Sequence, residues 1–144
     1  MIILDTNVVS ETMKPSPEPR VIGWLNRQEL TTLHLTTISL AELRFGISRL
    51  APGRRREDLE ARLDRILAEV FPGRILAFDE AAAHAFGVLV ATAGRQGHAV
   101  SFADGAIAAI AAASGYPVAS RDRATFAAMG VEVVDPWGLP ANEA

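Results

Sequence analysis

"MIILDTNVVS", residues 1–10, is the stretch on which the reading of the whole chain turns. Ile2, Ile3 and Leu4 form a short apolar run that reads as a buried strand, and the run ends directly on Asp5. Burying a carboxylate is costly unless something pairs with it. Asp5 can be a turn or helix-start residue, although Asn7 is also available to cap a helix ending before Pro15. At the carboxyl end of a buried strand, Asp5 also lies where α/β sheets hold their ligands.

Downstream, the chain alternates between the two periodicities. Residues 18–27 read as a helix with Val21, Trp24 and Leu25 on one face, after the Pro-rich break Lys14–Pro19. "LHLTT" (33–37) reads as a strand, and "SLAELRFGISRL" (39–50) as a helix striped by Leu40, Leu43, Ile47 and Leu50. Between Pro52-Gly53 and Pro72-Gly73, a further helix carries Leu59, Leu63, Ile66 and Val70. "RILAF" (74–78) is a strand, and Asp79 caps a helix running to about Arg95. An Ala-rich helix, 103–114, stops at Gly115. Strands at "PVAS" (117–120) and "VEVVD" (131–135) enclose a helical turn or two. The expected fold class is α/β, with a mostly parallel sheet and helices on both faces. Residues 1–144 fit one domain, with a short polar tail from about residue 139.

Composition narrows the chemistry. The absence of cysteine excludes disulfides, thiolate metal sites and Cys nucleophiles, and is compatible with a cytoplasmic protein. No run is apolar and long enough to cross a bilayer, so no membrane association is expected. The formal net charge of −3 means that a nucleic-acid partner would need a local basic patch. Arg54, Arg55 and Arg56 could supply it, with Lys14 and Arg44 as further candidates; an Arg run is more often a solvated helix start.

Three further acids share the setting of Asp5. Ser39-Leu40-Ala41-Glu42 and Ser101-Phe102-Ala103-Asp104 both have the form of a capping box, and Asp122 can cap the helix after "PVAS". Each acid therefore has a plain local explanation. Taken together, they fall at strand ends or first helical turns on one edge of the expected sheet. Two full charges about 4 Å apart repel by on the order of 4 kcal/mol at an effective dielectric near 20. A divalent cation would offset that repulsion, and an all-oxygen donor set favours Mg²⁺, then Mn²⁺. His34, His84 and His98 are scattered, which points to packing or surface roles.

The order of these segments resembles the PIN-domain ribonucleases, and more narrowly the VapC and FitB-like toxins of bacterial toxin–antitoxin pairs. "MIILDTNVVSE", "ISLAELRFGI", "ADGAIAA", "VASRDRATF" and "VEVVDPWG" are similar to that family's successive motifs. The resemblance implies a three-layer α/β/α sandwich and a Mg²⁺-dependent endoribonuclease. It implies an acidic catalytic and metal site at Asp5, Glu42, Asp104 and Asp122, with hydroxyl support from Thr6 and Ser120. Many relatives have Asn at the position of Asp122 and an acid at that of Thr125; the Asp form resembles the FitB-like branch. The resemblance also implies an RNA substrate, a homodimer, and a small DNA-binding antitoxin joined in a higher-order complex. The alternative is a catalytically weak binding module of the same fold, acting as co-repressor with that antitoxin.

Overall fold

A computed structural model describes residues 1–140; residues 141–144 of the expected polar tail lie outside the described residues. Strand β1 (Ile2–Leu4) leads into helix α1 (Thr6–Thr12) and helix α2 (Pro19–Asn26). Strand β2 (Leu33–Thr36) is followed by α3 (Thr37–Ser48) and α4 (Arg54–Glu69). Strand β3 (Ile75–Leu76) precedes α5 (Glu80–Arg95) and α6 (Phe102–Ser114). Strand β4 (Val118–Ala119), α7 (Arg123–Ala128) and β5 (Val133–Val134) complete the order, with a 3₁₀ turn at Pro136–Gly138.

The five strands are parallel in the order β3-β2-β1-β4-β5, so β1 is central. Successive strand residues point to opposite faces. Ile2 and Leu4 pack with Leu33, Leu35 and Ala119 against buried residues of α1–α4, including Val8, Val21, Leu43 and Leu63. Ile3 and Val118 pack on the other face against α5–α7, through Ile107, Ile110, Phe126 and Met129. This alternation produces the three layers expected for an α/β/α sandwich.

Helix α6 is buried from Gly105 to Ala111. A methyl group on Gly105 would stand 2.7 Å from the Phe86 ring and 2.8 Å from Val90 Cγ2, so the missing Cβ lets α5 and α6 touch closely. Gly115 stops α6 in the left-handed conformation at φ 71°.

Several boundaries differ from the sequence reading. Helix α1 begins at Thr6, and its cap is Asp5, not Asn7, because the chain turns helical immediately after the strand. Helix α3 begins at Thr37; Thr36 caps it by accepting from the Ser39 N–H at 3.1 Å. Ser39-x-x-Glu42 is therefore not a capping box, and Glu42 sits on the second turn. The strands read at 74–78, 117–120 and 131–135 shrink to two residues each.

Candidate active site

Asp5 is only 4 % exposed, at the carboxyl end of the central strand. Its Oδ1 accepts from the Thr6 N–H at 2.8 Å. Its Oδ2 accepts from the Ser120 hydroxyl at 2.6 Å and from Asn7 Nδ2 at 3.3 Å. Burial pushes its pKa up to about 6, against the pull of Ser120 and Thr6; the charges of Asp104 and Glu42 push in the same direction as burial.

Glu42 is exposed but tied to this edge, because its Oε1 accepts from the Thr6 hydroxyl at 2.7 Å. Thr6 Oγ1 also lies 2.9 Å from buried Ser39 Oγ. A hydroxyl has one proton, so when Thr6 donates to Glu42, Ser39 donates to Thr6. Asp104 is the third residue of α6, where its N–H donates to Ser101 Oγ at 3.1 Å. Its pKa is raised, first by burial and then by Asp122 and Glu42, while the Ser101 hydroxyl opposes the shift. Asp122 precedes α7 but makes no side-chain cap. The expectation of a capping Asp122 therefore does not hold. Its carboxylate is exposed, and its N–H donates to Ser120 Oγ at 3.0 Å.

The four acids form one electrostatically linked set: Asp5 with Asp104 and Glu42, and Asp104 with Glu42 and Asp122. Among the described residues, no three His or acid side chains lie close enough to hold a metal ion as they stand. The donor chemistry nevertheless suits a hard cation: every candidate ligand is a carboxylate oxygen. Glu42 and Asp122 are the two exposed acids of the set.

Two residues of this edge were not read from the sequence as part of it. Asn7 spends its amide on the site: Nδ2 approaches Asp5 Oδ2 and Ser120 Oγ (3.4 Å), and Oδ1 accepts from the Arg121 N–H at 3.4 Å. Ser39 backs Thr6. Their role depends on β4 and α3 lying beside β1, which no local pattern reveals. The one local signal for Asn7 is its place two residues after Asp5.

The basic candidates separate. Arg56 pairs with Glu60 at 3.1 Å, Arg44 with Asp64 at 2.6 Å and Lys14 with Glu11 at 2.8 Å. Arg54 and Arg55 line a cleft of about 1250 Å³ that also reaches Thr6 and Glu42. The histidines are in packing or surface positions: His34 against Tyr116, His98 bonded to Thr125 Oγ1 at 3.0 Å, and His84 exposed near Glu80. Among the described residues, no helix is long and apolar enough to cross a membrane.

Comparison with known proteins agrees with this architecture. A family profile described as "PIN domain" matches residues 2–132. The VapC ribonuclease Y4jK of Sinorhizobium fredii is 42 % identical over 137 residues, covering 95 % of this chain and 98 % of that protein. Toxin FitB of Neisseria gonorrhoeae is 41 % identical over 137 residues, covering 95 % and 99 %. The solved structure of FitAB bound to an IR36 DNA fragment superposes with a TM-score of 0.92 at 39 % identity, covering 97 % of this chain and 98 % of that one.

Proposed function

This chain belongs to the PIN-domain family, and on that premise we propose that it is the endoribonuclease toxin of a VapBC-type toxin–antitoxin pair. The observation that carries the reading is the linkage of Asp5, Glu42, Asp104 and Asp122 along the carboxyl edge of the sheet, with Asp5 buried and its pKa raised to about 6. A buried acid among like charges is the arrangement expected of a cation or proton-transfer site. The names of Y4jK and FitB, a ribonuclease and a toxin, support the same assignment.

The cofactor in this reading is Mg²⁺, with Mn²⁺ as substitute, held by Asp5, Asp104, Glu42 and Asp122. When bound, the ion supplies a more acidic water and positive charge opposite the phosphate. The chain's own residues do the rest. Asp5 is fixed by three donors, so its oxygens keep one orientation. Thr6 holds Glu42 towards the same edge. Glu42 or Asp122 orients the attacking water and takes its proton. The water oxygen bonds to phosphorus, the opposite P–O bond breaks, and the departing oxygen takes a proton from solvent. No Ser or Cys nucleophile is required.

The partners in this reading are RNA, a second copy of the chain, and a small DNA-binding antitoxin that inhibits the toxin within a larger complex. The test is to map the 5′ ends of cellular RNA after brief expression of the wild type and of Asp5→Asn. The expected result is a set of new ends present only with the wild type. Identical ends from both would remove the nuclease reading and leave a binding module.

A further inference from the structure

A chain of net charge −3 that holds RNA at an acidic edge needs a fixed cation beside that edge. Arg121 lies between Ser120, which donates to Asp5, and Asp122. It is held at two points. Its backbone N–H donates to Asn7 Oδ1 at 3.4 Å, and its guanidinium carbon lies 5.4 Å from the centre of the Trp137 ring. Trp137 is itself fixed: Asp135 Oδ1 accepts from its N–H at 2.9 Å, its carbonyl accepts from Arg20 at 3.1 Å, and its ring packs on the core. Among the described residues, no carboxylate pairs with Arg121, nor with Arg54 or Arg55 of the cleft, whereas Lys14, Arg44 and Arg56 are each engaged by one; of the unpaired three, Arg121 has the aromatic backing. Arg121 is exposed, so its donor fork is open to a ligand.

We propose that Arg121 is a substrate-binding residue: its guanidinium, backed by Trp137 on a backbone held by Asn7, takes the non-bridging oxygens of an RNA phosphate next to the one held at the Asp5 edge. The inference rests on the ribonuclease reading above and adds a residue to it. A planar guanidinium matches phosphate in a bidentate manner, and an aromatic backing holds the fork in place before the ligand arrives. Its charge also gives a polyanion one favourable contact on a face where four carboxylates repel it.

The test uses the full chain carrying Asp5→Asn, so that RNA is bound without being cut. A labelled short single-stranded RNA is titrated by fluorescence anisotropy over a range of salt concentrations. Arg121→Gln is expected to weaken binding by roughly five- to tenfold and to reduce the slope of log K against log salt by about 0.7, the release of one counterion from a single strand. Arg121→Lys retains the charge, so it is expected to keep the slope and lose several-fold in affinity. Lys also guards against loss of folding in the Gln variant. Unchanged affinity and slope in both variants, with the wild type still cutting RNA, would overturn the assignment of Arg121 and leave the nuclease standing. Variants that lose only antitoxin binding and keep RNA binding would overturn it as well. A wild type that neither cuts nor binds RNA would remove both readings.

Discussion

The Ser120 hydroxyl donates to Oδ2 of Asp5 at 2.6 Å, joining the ends of β4 and β1 across 115 positions of chain. It is the strongest single influence favouring the charged form of a carboxylate that burial pushes the other way. Ser120→Ala removes that donor, so the Asp5 pKa should climb further above its present value of about 6. The acid limb of the RNA-cleavage pH profile should move to higher pH, and stability above that range should fall by roughly 1–3 kcal/mol. A limb that stays in place or moves to lower pH would contradict the assignment.

The raised pKa of Asp5 has a thermodynamic sign that can be checked without substrate. In metal-free protein its folded pKa of about 6 exceeds the ordinary 3.8, so the native state binds more protons in that window. Stability therefore falls as pH rises from about 3.8 to about 6, and the full penalty of roughly 3 kcal/mol persists above it. Asp5→Asn removes the penalty. Denaturant unfolding with a chelator present should find the variant more stable than the wild type at pH 7.5 and close to it at pH 4. A difference independent of pH would show that the carboxylate carries no such strain.

Metal addition should offset most of that difference. A ligand that binds only the folded state stabilises by about 2.7 kcal/mol at a hundredfold excess over its Kd. Mg²⁺ should raise the Tm of the wild type, and Asp5→Asn and Asp104→Asn should lose most of the rise. Equal shifts in all three proteins, measured by calorimetry at matched ionic strength, would mean the ion acts elsewhere.

Gly105→Ala tests the packing of α6. Alanine favours a helix by about 1 kcal/mol over glycine. The added methyl, however, would lie 2.7 Å from Phe86 and 2.8 Å from Val90, and the β-branched valine has little freedom to move away. Overpacking should dominate, giving a net loss of roughly 1–2 kcal/mol in chemical denaturation. A raised Tm would show that α5 and α6 separate without cost.

The layer order was legible because apolar runs and helical stripes alternate along the chain, from Ile2–Leu4 to Val133–Val134. The caps were less legible. Thr36 belongs to an apolar-flanked strand segment, yet its hydroxyl starts α3, and Ser39-x-x-Glu42 imitates a cap one turn further on. Asp5 and Asn7 are rival caps by local sequence, while the structure gives the cap to Asp5 and turns Asn7 towards the Asp5 carboxylate. Acids at strand ends could be named from local sequence. The groups that hold them could be named only in part, since Ser39 backs Thr6, and Arg121 meets Asn7, through contacts between distant segments.

The central position of β1 bears on how the protein is made. Asp5 is translated before its neighbours Asp104 and Ser120, the latter 115 positions further along the chain. Until β4 arrives, one flank of β1 has no ladder partner, and its main-chain groups stay open to water or to the wrong strand. A nascent or prematurely terminated chain therefore lacks both the third acid and the hydroxyl that steadies the first. The acidic edge is therefore assembled only after β4 has been made.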